Sequence, residues 1–186
     1  MQNERSEQMN DARTESMAEG YEVTGPKLAL YHPNANGTGC AIILELYPAT
    51  KEHEGFILCS FANQMTVGNL MGANPNYPKF DWENGVVVRL WFDDLTHMLQ
   101  VFRGETESIF DGKGLYHKVG DVTNHILLRH MIDPVYGYHF TVEQNKKNGD
   151  ETRHSILLSH AESFGLCEAI TGSLYLIAFG SPYATK

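Results

Sequence analysis

The first half of the chain alternates apolar and polar residues with a period of two, which is the pattern of half-buried β-strands. Turn-rich segments of Gly, Asn and Pro separate the alternating runs. The pattern predicts strands at Lys27–His32, Cys40–Tyr47, Glu54–Asn63, Lys79–Trp82 and Val86–Phe92. The tripeptide Glu83-Asn84-Gly85 predicts a hairpin turn between the last two of them.

The period changes from two to 3.6 after Phe92, which predicts an amphipathic helix. Its apolar face consists of Leu95, Met98, Leu99 and Phe102. Asp93 or Asp94 can cap the N-terminus of this helix, and Gly104 is placed to end it.

The second half repeats this order of strands followed by a helix. Strands are predicted at Asn124–Met131, Tyr136–Gln144 and Thr152–Ser159. A helix follows, and its apolar pattern matches that of the first helix after a shift of 68 positions, which aligns Gly104 with Gly172. Ser173–Phe179 is a separate closing apolar segment. The order predicts an α+β protein of two pseudo-repeated units, about 27–104 and 105–180, within a single domain of residues 23–186. Each unit is an antiparallel sheet with one face covered by helices and the other left open.

Composition and charge narrow the functional classes. Residues 1–22 are polar and aperiodic, which predicts a disordered tail. The net charge of −9 argues against strong general affinity for nucleic acid, although a local basic strip remains compatible with it. We hypothesise that the acidic tail competes weakly for such a strip. The chain shows neither a signal peptide nor an apolar run of about 20 residues, so we expect a cytoplasmic protein without membrane contact.

Cations and aromatic residues alternate on the predicted open faces. Val87, Arg89 and Trp91 share one side of a strand, and Lys27 and Tyr31 share one side of another. In the second half, Arg129 and Arg153 hold similar positions. Rings that stack on bases beside cations that follow phosphates are what single-strand binding requires. Each residue taken alone also fits a surface charge or a subunit interface.

The sequence gives little support for a catalytic function or for a metal site. The nine histidines form no H-E-x-x-H motif, and neither a P-loop nor a G-x-S-x-G motif occurs. We therefore predict a protein that is not an enzyme, with no catalytic residue, no metal site and no cofactor. An enzyme that uses the histidines stays a minor alternative.

Several motifs, taken in order, resemble the Whirly family of single-stranded-DNA-binding proteins. They are FILCSF at Phe56–Phe61, Phe80-Asp81-Trp82, the strand and helix from Val86, Ser108–Asp111, His139–Asn145 and the closing segment Ala161–Gly180. The resemblance covers roughly residues 27–180. The chain departs from the family at an early strand, where Gly37–Ile43 has no lysine and the family carries a lysine-bearing motif.

The resemblance implies two units of four strands and a helix, single strands lying along outward-facing sheets, and a homotetramer built through the helices. Single-stranded DNA is the expected partner, and RNA is an alternative. The first alternative function is a protein-binding or scaffold module of the same fold without nucleic acid binding, and RNA binding is the second. The predicted nucleic-acid-binding residues are Lys27, Tyr31, Lys79, Phe80, Trp82, Arg89, Trp91, Arg129 and Arg153.

Overall fold

A computed structural model describes residues 27–69, 71, 75–133 and 136–181, and the predicted tail at residues 1–22 lies outside them. The described residues form an α+β fold, as predicted, with two antiparallel sheets and two helices. The strands are β1 Lys27–His32, β2 Cys40–Tyr47, β3 Phe56–Thr66, β4 Lys79–Phe80, β5 Val86–Leu90, β6 Leu115–Val119, β7 Val122–Met131, β8 Gly137–Lys146 and β9 Glu151–Leu158. The helices are α1 Phe92–Phe102 and α2 His160–Phe179, and a short 3-10 turn spans Ile109–Gly112.

The first sheet has the strand order β1-β2-β3, and both β4 and β5 pair with β3. The predicted hairpin between β4 and β5 is therefore wrong. Residues 81–85 form a turn instead, in which the Gly85 amide donates to the Trp82 carbonyl (3.4 Å). A Cβ at Gly85 would collide with the carbonyl oxygen of Phe61, so glycine lets the chain return closely along β3.

The second sheet is a meander with the order β6-β7-β8-β9. Strands β7, β8 and β9 were predicted to within a few residues, and β6 was missed. In β6 only Leu115 is buried, so the strand lacks the alternation that reveals the others.

Helix α1 shows the predicted apolar face and the predicted end. Leu95, Met98 and Leu99 are buried, and the chain leaves the helix at Gly104, whose φ is +73°. The predicted N-cap, Asp93 or Asp94, is wrong by two or three positions, because Trp91 occupies it. The Asp94 carboxylate instead accepts a hydrogen bond from the Trp91 amide (2.8 Å).

Helix α2 is longer than predicted. It continues through Gly172 and takes in Ser173–Phe179, which the sequence pattern presented as a separate segment. Those residues include good helix formers, and Ile177 packs in the core, so one glycine does not stop the helix. The end lies at Gly180, whose φ is +76° and whose amide donates to the Leu176 carbonyl (2.9 Å).

One apolar core joins both sheets and both helices. The rings of Phe61 in β3 and Phe140 in β8 meet edge to face, with centroids 5.0 Å apart. At the seam where the two sheets meet, the side-chain amide of Asn63 in β3 donates to the carbonyl of Arg153 in β9 (3.3 Å). The core thus fixes the inner faces of the two sheets and leaves their opposite faces open.

Neither described helix is long and apolar enough to cross a membrane.

Candidate nucleic-acid interface

Cross-strand register arranges the open face of the first sheet into four parallel rows. One row holds Lys27, Glu45, Leu58 and Arg89. The next holds Ala29, Ile43, Ser60 and Val87. Tyr31 lies opposite Ala41 at one end of the face, and Tyr47 lies opposite Phe56 at the other. Because side chains alternate along each strand, these residues share the side turned away from the core.

The aromatic group at one end of this face, here called the Trp91 cluster, consists of Tyr47, Phe56 and Trp91. The Tyr47 and Phe56 rings are stacked, with centroids 4.9 Å apart and planes 11° apart. Trp91 meets Phe56 edge to face at 5.2 Å, and the Arg89 guanidinium lies 5.0 Å from the Phe56 centroid. The cluster therefore combines a rigid ring platform with a cation over one of its faces.

A second aromatic group, here called the Trp82 cluster, consists of Tyr31, Phe80 and Trp82 at the opposite end. Tyr31 lies 5.5 Å from Phe80 and 6.4 Å from Trp82, measured between ring centroids. Tyr31 is 52% exposed, so much of its ring is accessible. The exposed Lys79 adjoins Phe80 in β4, and its backbone amide donates to the Thr66 hydroxyl (3.1 Å). The turn after β4 thus gathers three rings at this end of the sheet, and Lys79 precedes Phe80 in the chain.

The predicted cations divide into paired and unpaired groups. Lys27 is paired with Glu45 (2.6 Å between Nζ and Oε1), and Arg153 with Glu143 (3.5 Å between Nη1 and Oε1). Within the part of the chain that the structure describes, the remaining cations form no ion pair: Lys79, Arg89 and Arg129. All three are exposed, so they are available to an anionic ligand.

The open face of the second sheet is more polar. His139 and the Ser155 hydroxyl share a short hydrogen bond, and Thr141 bonds the same hydroxyl at 2.9 Å. Burial, with Arg129 and Arg153 adding to it, lowers the pKa of His139 below its usual value. These three groups thus bond one another near the two arginines, and Thr141 is buried.

A stacked pair of rings extends the second face along β6 and β7. The Tyr116 and His125 rings are 4.2 Å apart and nearly parallel, at 10°. His125 also contacts Glu143 (3.3 Å between Nδ1 and Oε2), so it lies beside the carboxylate that pairs with Arg153.

An open cleft of about 600 Å³ lies beside Trp91. The loop between β2 and β3 lines one side, including Lys51 and His53, and the end of α2 lines another, including Ile177. Trp91 therefore borders both the cleft and the open face of the first sheet.

Among the described residues, no three His, Cys, Asp or Glu side chains converge to hold a metal ion.

The structure groups most of the predicted residues and separates two of them. Seven lie on or beside the open face of the first sheet, in or next to the two clusters: Lys27, Tyr31, Lys79, Phe80, Trp82, Arg89 and Trp91. Arg129 and Arg153 lie on the second sheet, and Arg153 approaches the first one at the Asn63 seam.

Sequence reasoning missed Tyr47 and Phe56, together with the Tyr116 and His125 pair. Tyr47 and Phe56 belong to strands that were predicted correctly or nearly so. Only the register of β2 against β3 reveals that they stack.

Two proteins of known structure share this fold. WHY3 from Arabidopsis thaliana aligns with a TM-score of 0.63 at 18% sequence identity, over 86% of this chain and 92% of that protein. WHY1 from the same organism aligns with a TM-score of 0.60 at 16% identity, over 83% of this chain and 85% of that one. Both are Whirly proteins, so the family resemblance is confirmed at the level of the fold. No protein-family model and no curated protein matches the sequence.

Proposed function

We propose that this chain binds single-stranded nucleic acid, with single-stranded DNA as the main ligand, and that it is not an enzyme. The observation that carries the proposal is the pair of aromatic clusters on one open sheet face, with the Arg89 guanidinium over the Phe56 ring. Unpaired bases present flat apolar faces that stack on such rings, each for about 1–3 kcal/mol. Duplex DNA keeps those faces inside its own stack, so single strands should bind more tightly.

Phosphate contacts play a smaller part in this proposal. The main candidates are the three exposed predicted cations that form no ion pair with any described residue: Lys79, Arg89 and Arg129. About three phosphate contacts would give a logarithmic salt slope of about −2 for a single strand. The net charge of −9 also opposes purely electrostatic binding, so stacking should supply most of the affinity.

The proposal includes assembly of the chain with copies of itself, as a homotetramer through the helices, and a cytoplasmic location. The exposed apolar side of α2 supports the assembly, because Phe164, Tyr175 and Phe179 are 69%, 59% and 77% exposed. RNA remains the alternative ligand, because ring faces stack on the bases of either nucleic acid.

The first test is fluorescence anisotropy with a labelled single strand of about 30 nucleotides, which exceeds the site size of about 4–16 nucleotides in related binding modes. Duplex DNA and RNA of matched sequence are the comparisons, each measured across a salt series. We expect tighter binding of the DNA single strand than of the duplex, and a shallow salt slope. Absence of binding at the lowest salt concentration would refute the proposal.

Two variants test the assigned residues. Trp91→Ala should weaken binding by about fivefold to hundredfold, the equivalent of one lost stacking contact. Arg89→Gln should leave more of the stacking and reduce the salt slope by about 0.7. Phe110→Ala is the matched control, because Phe110 is an exposed ring on the 3-10 turn outside both clusters. Circular dichroism should show that all three variants are folded.

One observation favours the second candidate function, a protein-binding module of the same fold. Glu45 and Glu143 neutralise Lys27 and Arg153 on the open faces, which reduces the attraction for phosphates. This function predicts that the assembly forms while no oligonucleotide binds at any salt concentration.

A further inference from the structure

The two aromatic clusters occupy opposite ends of the same sheet face. Along β2, Ala41 lies opposite Tyr31 of the Trp82 cluster, and Tyr47 belongs to the Trp91 cluster. Tyr47 is six positions after Ala41 along β2. A strand rises about 3.3 Å per residue, so the clusters are about 20 Å apart. Neighbouring strands fix this separation, because β3 pairs with β2 from Cys40 to Tyr47 and β1 pairs with it from Cys40 to Glu45.

No aromatic side chain lies in the rows between the clusters. The central row is Ala29, Ile43, Ser60 and Val87, and the adjacent row ends at Arg89. These side chains offer aliphatic contact, the Lys27–Glu45 ion pair and one guanidinium, but no ring for a base. The face therefore offers rings for stacking at its two ends and none in the rows between them.

We propose that one single strand is held at both clusters at once, with bases stacked at each end and its backbone crossing the middle rows. This inference rests on the proposed function and specifies how the ligand lies on the protein. Adjacent stacked nucleotides are about 3.4 Å apart, so about six steps cover the distance when the strand stays stacked. A trinucleotide reaches one cluster only.

Binding at two linked points makes affinity depend on length in a defined way. Once one cluster is occupied, the second contact becomes intramolecular, which raises overall affinity by about a hundredfold or more. Affinity should therefore rise steeply between about three and about ten nucleotides. A single stacking site would give no such step.

The chain contains two tryptophans, and each cluster holds one of them. In Trp82→Phe, intrinsic tryptophan fluorescence reports on Trp91 alone. In Trp91→Phe, it reports on Trp82 alone. Both variants keep a ring at the substituted position, and each is titrated with oligodeoxythymidylates of about three and about twelve nucleotides, lengths that fall below and above the span.

We expect the longer oligonucleotide to quench both tryptophans with the same midpoint. That midpoint should be at least about tenfold lower than the midpoints for the trinucleotide. Response of one tryptophan alone, or equal midpoints for both lengths, would overturn the inference while anisotropy still showed binding. Absence of binding in anisotropy at every length would instead refute the proposed function itself.

A double variant tests whether the Trp82 cluster is the second contact point, as opposed to a strand that bridges the Trp91 clusters of two copies of the chain. Tyr31→Ala combined with Trp82→Ala removes most of the Trp82 cluster and leaves Trp91 as the reporter. We expect the length effect at Trp91 to fall below about threefold, because only one stacking point remains. Retention of the full length effect in this folded variant would contradict the inference. Phe110→Ala should keep the full effect.

Discussion

His154 in β9 is a buried histidine whose ring has no hydrogen-bond partner among the described residues. The residue is 2% exposed, and both ring nitrogens lack a partner. Burial lowers the pKa of His154 below the ordinary 6.5, and the negative charge of Asp81 only partly opposes that effect. The folded protein therefore holds this ring neutral at a pH where an unfolded chain would already protonate it.

His154→Leu should change how stability depends on pH. Below about pH 6.5 the unfolded wild-type chain binds a proton that the folded chain resists, so the free energy of unfolding falls as pH drops through this value. Leucine removes that contribution, and it also removes two unpaired polar atoms, which we expect to add about 1 kcal/mol at neutral pH. Urea denaturation at fixed protein concentration, near pH 5 and near pH 7.5, measures both effects.

The exposed His53 provides the control for this prediction. His53→Leu replaces a histidine in the loop between β2 and β3, where burial is absent. It should leave the pH dependence of the unfolding free energy close to that of the wild type. An equally steep dependence in His154→Leu would contradict the role assigned to the buried ring.

At the scale of elements, the start of α2 is tied both to itself and to β1. The Ser159 amide donates to the Glu162 carboxylate (2.8 Å), and the Ser159 hydroxyl accepts from the Glu162 amide (3.3 Å). The same carboxylate contacts the His32 ring at the end of β1 (2.7 Å). Burial alone would raise the pKa of Glu162, but the hydrogen bonds from Ser159 and His32 outweigh it and hold the pKa below 4.5.

Glu162→Ala should lower the free energy of unfolding by about 1–2 kcal/mol at pH 7, because it removes half of the capping box and the link to β1. A carboxyl group whose pKa is lower in the folded chain than in the unfolded chain stabilises the fold at pH values above its unfolded pKa. This contribution is lost as the pH falls through its folded pKa. The difference from the wild type should therefore shrink below about pH 4.5. Thermal or chemical denaturation at both pH values measures it, with Glu105→Ala, an exposed glutamate beyond α1, as control. A difference that stayed constant into acid would argue against the charged cap.

The elements also show what periodicity can and cannot predict. The bounds of β1 and β2 match the sequence prediction residue for residue, because a turn-rich segment at residues 34–39 separates the two apolar runs. Helix α2 ran past Gly172 because a glycine ends a helix only when the chain can leave it there, and Ile177 keeps the last turns packed. Ring partnerships depend on register between strands, which no local pattern contains. For that reason Arg89 and Trp91 could be selected from the sequence, whereas the stack of Tyr47 on Phe56 could not.

In the whole molecule each of the two sheets packs one face into the shared core, and α2 carries exposed apolar side chains of its own. That helix face carries Phe164, Tyr175 and Phe179, with Gly165 and Gly172 two turns apart between them. A Cβ added at either glycine would meet no atom within 4 Å, so nothing inside the chain requires glycine there. Each glycine nevertheless costs the helix about 1 kcal/mol relative to alanine. The proposed assembly would account for that cost, because a second copy of α2 could then approach closely at these positions.

Gly172→Leu distinguishes a free helix face from a subunit interface. In an isolated chain the change should be neutral or stabilising, because leucine favours the helix and its side chain enters open space. In a tetramer packed through α2 it should separate the helices and lower the mass of the assembly, as measured by sedimentation velocity over a range of concentrations. Lys146→Leu adds the same side chain at an exposed position on β8 and should leave the mass unchanged. A wild-type chain that stays monomeric at every concentration, or a Gly172→Leu variant that stays tetrameric, would contradict assembly through this face.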